Sequence, residues 1–373
     1  MNVETCDALI VGGGPAGSSC ARQLRRQGLD VVVMDKVAFP RDKVCAGWIT
    51  PEVVAALQLD VSDYAGKHVF QPITAFRTGL IGGRELETRY PDIVSYGIRR
   101  SEFDDYLLQR SGARLRLGEG LASMERHGQH WIVNDAWSTP LIIGAGGHFC
   151  PVARVLGARL GAAESAVTAK EIEFQMTPRQ IDDCQVRPDT PELYFSRDLK
   201  GYGWCFRKGR HLNVGFGREG HNGLNGQLKD FLDFIRQRGR IPRDTPEDFR
   251  GHAYLTYGRE RRKPLDDGVL LVGDAAGLAY AQSGEGIRPA VESGLMAAAS
   301  ILEAGENYRR EKLAIYPARL PGRFGKPAPP SKAFPEFLRP LLAGKLMANR
   351  WFTRSVVLDR WFLHAHQAEL QIV

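Results

Sequence analysis

Gly12, Gly14 and Gly17 occupy the three glycine positions of G-x-G-x-x-G, directly after the apolar run Cys6 to Val11. That spacing suits a pyrophosphate: Gly12 allows a tight turn off a strand, Gly14 lets the backbone approach the anion, and Gly17 lets the next helix pack close to the sheet. Pro15 and Ala16 open that helix, whose unpaired N–H groups and dipole favour negative charge. Asp35 closes a second apolar run, Asp30 to Asp35, 18 residues beyond Gly17. A carboxylate at that place accepts both hydroxyls of an adenosine ribose and repels a 2′-phosphate, and Lys36 follows it in the same loop. The chemistry implied is capture of an adenine dinucleotide.

A second group lies far along the chain. The apolar run Val269 to Gly273 ends on Asp274, and Gly284-Glu285-Gly286-Ile287 then opens a helix expected from about Gly286 to Ala304. Asp274 at a strand end can accept a hydrogen bond from a cofactor hydroxyl. A helix N-terminus free of side chains stabilises negative charge on a flat ring brought against it. Between these groups stand the polar loop Phe39 to Pro51, the adjacent Arg99 and Arg100, and the strand Leu141 to Gly147 with Gly144 in it and His148 beside it. Arg41 in that loop offers a planar fork to a pyrophosphate. Tyr202, Trp204 and Phe206 recur with period two and so share one face of a strand. An aromatic cavity wall and an ordinary sheet core both produce that pattern.

The elements that must position these residues follow from periodicity. A β-α-β unit spans Cys6 to Asp35, and a short helix starts at Pro51 with Thr50 as its cap. Pieces at Ala75 to Thr78 and Glu85 to Tyr90 leave the parallel pattern for another sheet. A helix follows from Ser101 as cap, then a hairpin, Gly120 to Arg126 and Gln129 to Asn134, about His127-Gly128. Short strands at Lys170 to Met176, Leu193 to Ser196, Gly203 to Phe206 and Leu212 to Gly217 are antiparallel in character, and Leu228 to Gln237 is a helix. A proline-rich joint, Pro317 to Pro330, precedes a C-terminal tail. The fold class expected is α/β: a Rossmann-like parallel sheet with helices and a β-hairpin, an antiparallel-sheet substrate domain, and a helical tail. Residues 1–65, 97–165 and 255–320 form the first, 66–96 and 166–254 the second, and 321–373 the tail.

At 373 residues the chain exceeds one core, which is why two interleaved domains are expected. The net charge of +7 suits an acidic partner. No block of five lysines or arginines occurs, however, so scattered solvated charge is the simpler account and nucleic acid is not expected. The six cysteines show no C-x-x-C pair and no metal-ligand spacing, so no metal is expected. No run reaches the ~18–20 apolar residues of a membrane span, and no signal segment is evident; a cytoplasmic protein, at most peripheral to a membrane, is the expectation. In the tail, basic residues alternate with Trp351, Phe352, Trp361 and Phe362. Those aromatics either insert in an anionic membrane surface or turn inward to cap a substrate cavity. Capping is favoured, because an exposed apolar stripe is a liability in a soluble protein.

Three stretches together resemble the flavoprotein oxidoreductases that include aromatic hydroxylases, flavin halogenases and geranylgeranyl reductases, closest to the last branch. They are the Gly12–Gly17 cradle with Asp35; GDAAGLAYAQSGEGIRPAVESG, residues 273–294; and Gly144-Ala145-Gly146-Gly147 through Arg154, where the family has G-A-D-G. The resemblance implies FAD, contacted by Gly144, Gly273, Asp274, Gly284, Gly286 and Ile287, and by Arg100, with Arg99 as the alternative. Pro40 to Gly47 resembles P-R-x-K-x-C-G-G with Ala46 for the first glycine, which puts Arg41, Cys45, Ala46 and Gly47 beside the cofactor. Tyr202 to Gly217 resembles Y-x-W-x-F-P and N-V-G-x-G, with Arg207 for proline. Cys45, Tyr202 and Trp204 thereby become the candidate catalytic residues, as cavity wall near the ring. Gly146 replaces an aspartate that in the aromatic hydroxylases is tied to both FAD and nicotinamide binding, and Ala281 a proline; an electron-donor protein therefore competes with NAD(P)H as reductant.

The implied reaction is reduction of carbon–carbon double bonds in an isoprenoid or other small apolar substrate by reduced flavin. The alternative is a flavin-dependent monooxygenase that hydroxylates or epoxidises an aromatic or apolar substrate. Halogenation ranks lower, since W-x-W-x-I-P is absent, and a non-enzymatic flavin-binding role stands as a further class. The released cofactor is expected to run as FAD, not FMN, on chromatography, and Asp274→Ala to lose most of its flavin by absorbance. Full occupancy in that variant would remove Asp274 from the site.

Overall fold

The computed structural model describes residues 3–161, 164–220, 223–259, 262–325 and 339–371. Its first layer is a six-stranded sheet in the order Leu265–Asp266, Val269–Leu271, Ile142–Gly144, Ala8–Val11, Val31–Asp35, Arg114–Leu117. All neighbours are parallel except the first pair. Strands covered on both faces read as unbroken apolar runs, and Ala8–Val11 is buried at every position. Ile10, Val33 and Ile143 face helices Pro15–Arg26 and Ile287–Ala304. Leu9, Val11, Val32, Met34 and Ile142 face a four-stranded sheet built on the hairpin Met124–His127 and His130–Val133.

The second layer is a seven-stranded sheet: Arg250–Tyr254, Val167–Gln175, His211–Glu219, Gly201–Lys208, Glu192–Phe195, Ala75–Leu80, Glu85–Arg89. It is antiparallel except where Glu192–Phe195 runs parallel to Ala75–Leu80. Period two divides its faces. Cys205, Val214 and Phe216 pack under helix Leu224–Gln237 with Phe231 and Ile235, while Trp204 and Phe206 face the other way with Phe76, Phe195 and Trp48. A Cβ at Gly203 would stand 2.6 Å from the Phe231 ring, so glycine is what lets this helix settle on the strand.

Several expectations change. A third sheet, Trp48–Ile49, Ser95–Ile98 and Phe70–Ile73, takes its first strand from the loop Phe39 to Pro51, expected to be too polar and glycine-marked for the core. Trp48 and Ile49 are buried in it, their local polarity outvoted by tertiary contacts. The helix after Arg99 spans Arg100–Gln109 with Arg99, not Ser101, at its cap. Thr50 does precede helix Pro51–Ala56, yet its side chain makes no capping bond. Pro317 and Pro321 lie inside helix Ile315–Phe324, so they are not part of a joint; Pro327, Pro329 and Pro330 fall outside the described residues.

The tail packs on the aromatic face of the second sheet as helix Arg339–Met347 and the wider π-helix Phe352–Phe362. Ala343, Met347, Val357, Leu358 and Phe362 join Trp48, Phe76, Trp204 and Phe206 in one core. Phe362 is 2% exposed and stands edge-on to Trp48 and Tyr202, with centroids 5.7 and 5.3 Å away. Trp351 points outward, 69% exposed. No helix among the described residues is long and apolar enough to cross a membrane. Replacing Phe362 by Ala is expected to cost about 3–5 kcal/mol of unfolding free energy, measured by urea denaturation. A change below about 1 kcal/mol would mean the tail does not hold this face.

Candidate functional site

The two sheets meet along a cavity of about 590 Å³. One end lies at the carboxyl ends of the parallel strands, where ligands of open α/β sheets bind: Val11, Met34, Asp35 and Ala145 line it. Gly12 has φ +115°, and a Cβ there would meet the Ala145 carbonyl oxygen at 2.4 Å. Asp35 Oδ2 accepts the Gly13 N–H at 2.8 Å and Oδ1 the Val37 N–H at 3.0 Å, which anchors the carboxylate at the rim of the turn.

Next to the turn lie two guanidiniums on one carboxylate. Arg100 donates from Nε and Nη2 to buried Asp104 at 2.7 Å each, while Arg41 Nη2 stands 3.4 Å from the same group and 3.4 Å from a Cβ built on Gly14. The surplus positive charge faces the glycine turn. This is the surplus a pyrophosphate requires.

Deeper in, Lys43 Nζ is 2.9 Å from His252 Nε2, which is 3.8 Å from Asp274 Oδ2. Burial pushes the Asp274 carboxyl up, but the His252 hydrogen bond and the Lys43 cation outweigh it and hold the group below its ordinary range. Burial lowers Lys43 to about 8, against the attraction of Asp274, and lowers His252 as well. His148, buried beside this group, lies 3.2 Å from Arg262 Nη2, and Arg262 forks onto Glu164 at 2.8 and 2.6 Å. That network ties the Gly147 turn to the Asp274 carbonyl region and is structural in character.

The far end is apolar. Trp48, Leu193, Tyr202, Trp204, Phe206 and Phe362 line it. Trp204 Nε1 donates to Asn213 Oδ1 at 2.7 Å, and Asn213 Nδ2 donates to Glu171, Glu173 and the Cys45 carbonyl at 3.0, 3.2 and 3.1 Å. The asparagine of N-V-G thus fixes the wall tryptophan and the Cys45 loop together. Tyr202 Oη donates to the Ser283 carbonyl at 2.5 Å, fastening the wall to the loop before the long helix.

Of the residues expected at the site, Gly12, Gly14, Pro15, Ala16, Asp35, Lys36, Arg41, Cys45, Ala46, Gly47, Arg100, Tyr202, Trp204, Asp274, Gly284, Gly286 and Ile287 line this one cavity. Gly17, Gly144 and Gly273 do not. A Cβ on Gly17 would lie 2.0 Å from the Gly12 carbonyl oxygen, and one on Gly144 2.6 Å from Leu271. Gly273, at φ +58°, abuts Ala16. All three serve backbone packing. Arg99 pairs with Glu102 and Glu173 at 2.8 and 3.3 Å and lines a separate cavity of about 320 Å³ behind the Cys45 loop. His252, Tyr254, Trp48, Leu193 and Glu285 line the main cavity unanticipated. Glu285 lies inside the motif Gly284 to Ile287 but was not singled out; no local motif marks the other four, although period two in Arg250–Tyr254 places His252 and Tyr254 on one face. All six cysteines are free, and no metal-binding cluster occurs among the described residues.

Residues 10–61 match the model of an NAD(P)-binding Rossmann-like domain. The chain is 28% identical over 350 residues to a menaquinone reductase of Mycobacterium tuberculosis, covering 87% of this chain and 81% of that one. It is 27% identical over 350 residues to digeranylgeranylglycerophospholipid reductase 3 of Methanosphaera stadtmanae, covering 87% and 85%. The crystal structure of a geranylgeranyl bacteriochlorophyll reductase-like protein from Thermoplasma acidophilum superimposes with a TM-score of 0.75 at 22% identity, over 93% of this chain and 91% of that one. The chain is an FAD-dependent oxidoreductase. Its fold is the one shared by that reductase-like protein and by flavin-dependent halogenases, and the glycine turn, the cationic pair and buried Asp274 suit the pyrophosphate and polyol of FAD.

Lys43 gives the flavoprotein a testable pH signature. Its proton is held less tightly in the folded state, at about 8, than at the ordinary 10.5. Stability therefore rises as pH climbs from 8 to 10.5 and is lost over the same window as pH falls back to 8, by up to about 3 kcal/mol. Denaturation of flavin-free protein across that range is expected to show the rise, and Lys43→Met to flatten it; an unchanged slope in the variant would place the titration elsewhere.

Proposed function

We propose that this flavoprotein reduces carbon–carbon double bonds of an isoprenoid or similarly apolar substrate. The observation that carries the reading is the continuity of one cavity from the dinucleotide turn at Gly12 to the aromatic wall of Trp48, Tyr202, Trp204, Phe206 and Phe362. Relatives named as geranylgeranyl and digeranylgeranylglycerophospholipid reductases support it.

In this reading Gly12, Gly14, Arg41 and Arg100 hold the FAD pyrophosphate, Asp35 the adenosine ribose, and Asp274 the polyol. When bound and reduced, FAD supplies the electron pair that saturates the double bond. The residues around it bind and orient. The aromatic wall excludes water and accepts a flat, flexible chain by contact area, with few polar groups to dictate its ends. Asn213 keeps Trp204 and the Cys45 carbonyl in register, and Cys45 is a small polarisable wall residue whose Sγ receives the Gly47 N–H at 3.4 Å. The helix N-terminus at Gly286–Ile287 favours negative charge at that end of the cavity.

The test is single turnover. Protein loaded with FAD is reduced anaerobically by dithionite and mixed with a geranylgeranyl lipid. Reoxidation of the flavin, with mass spectrometry showing two hydrogens gained per double bond, is the expected result. Product carrying a new oxygen atom after admission of air, with no saturation under anaerobiosis, would replace this reading with a monooxygenase.

A further inference from the structure

One carboxyl in the cavity has no part in holding the dinucleotide. Glu285 lines the cavity between Gly284 and Gly286, with its side chain 6% exposed. Its Oε1 accepts the Arg288 N–H at 2.8 Å, at the start of helix Ile287–Ala304. Its Oε2 is buried and has no hydrogen-bond partner. Facing that oxygen at 3.9 Å is Nε2 of His364, also buried and also unpartnered.

His364 is delivered by the tail, from the turn after the π-helix, with φ +49°. Positive φ on a residue other than glycine is held only where the surroundings enforce it. Here the ring is clamped by stacking on Tyr280, centroids 3.7 Å apart. The next imidazole, His366, has its centroid 6.3 Å from that of His364 and is exposed to solvent. A line of ionisable groups thus runs from solvent through His366 and His364 to a carboxyl in the cavity wall.

We propose that Glu285 is the proton donor of the cavity and that His366 and His364 return its proton from solvent. In one delivery the Glu285 carboxyl turns toward the cavity, its O–H bond breaks, and the proton passes to an acceptor there, in turnover a carbon of the double bond. The carboxylate then takes the Nε2 proton of His364 after a small side-chain rotation, while the other ring nitrogen of His364 receives a proton from the His366 side. One proton enters and one leaves, and no electrons move.

The charges around Glu285 fit a neutral acid that ionises transiently. Arg288 Nε donates to Glu292 at 2.9 Å and Nη1 faces Glu52 at 3.6 Å, while Arg323 shares Glu292, so two cations are offset by two other carboxylates beside Glu285. Tyr202, Tyr280 and His364 complete the surroundings. Burial raises the Glu285 carboxyl to about 7, against the Arg288 N–H and cation. Burial lowers His364 to about 3, aided by Arg288 and His366, so the imidazole passes protons without storing charge.

The identity of the acceptor rests on the proposed double-bond reduction, but the donor is tested with no substrate present. The midpoint potential of FAD-loaded protein is measured against pH, with infrared difference spectra of reduced minus oxidised protein. In the alkaline half of the range the wild type is expected to take up one more proton per electron pair than Glu285→Gln. Its difference spectrum is expected to contain a protonated-carboxyl band that Glu171→Gln leaves in place. His364→Gln is expected to keep the proton count but slow the response of that band to a pH jump about tenfold. Absence of the band in the wild type overturns the proposal, as does a wild-type proton count in flavin-loaded Glu285→Gln. An unslowed response in His364→Gln overturns the relay. If Glu285→Gln fails to hold FAD, the wild-type band and the His364→Gln kinetics still decide.

Discussion

The arrangement depends on backbones approaching more closely than any side chain permits. Helix Ile287–Ala304 lies so tightly against helix Pro15–Arg26 that a Cβ on Gly294 would sit 2.3 Å from the Ala16 carbonyl oxygen. The same squeeze recurs between Gly17 and Gly12, and between Gly12 and Ala145. Close packing of this kind is rigid, because adding even one carbon forces the backbone to move. It brings the first helix, the turn after Ile142–Gly144 and the Asp274 loop to one edge of the parallel sheet, so a dinucleotide meets a preformed cradle.

Electrostatics in that cradle is arranged by sharing. One buried carboxylate, Asp104, serves both Arg100 and Arg41, which leaves a cationic surplus beside the glycine turn without an isolated buried charge. Deeper in, Lys43, His252 and Asp274 form a row in which each member limits the desolvation cost of the next. The other end of the cavity contains almost no charge, because its polar atoms are used internally: the Trp204 indole goes to Asn213, and the Tyr202 hydroxyl to the Ser283 carbonyl. A polar end and an apolar end are therefore parts of one void.

The tail completes the apolar end. Trp204, Phe206, Phe195 and Phe76 present a face that a single sheet cannot bury by itself, and the segment 339–363 covers it. Tyr90 Oη reaches Asp359 at 2.7 Å and Arg354 stacks on the Tyr90 ring, so the cover is pinned at its polar margin as well. The alternation of basic and aromatic residues divides its aromatics: Phe362 inward, Trp351 outward.

The local signals were strong where one short stretch had to satisfy one physical demand. The glycine spacing, Asp35 at a strand end, Gly273-Asp274 and the period of Tyr202, Trp204 and Phe206 are readable without neighbours, because turn geometry and strand alternation act within a few residues. Trp48 is the contrary case: its glycine-marked loop reads as exposed, and only the partner strand Ser95–Ile98 and the Phe206 ring bury it. Arg100 was visible as an arginine near the cofactor, but its bond to Asp104 was not, nor was the absence of Gly17, Gly144 and Gly273 from the cavity surface. The contacts that decide the chemistry join distant parts of the chain: Lys43 with His252, 209 residues apart, and Glu285 with His364. No local propensity encodes such pairs, since they exist only once two sheets and a tail have packed and removed the water between them; the amino-acid sequence by itself determined the cradle and the aromatic strand, and tertiary structure decided which buried charges would meet.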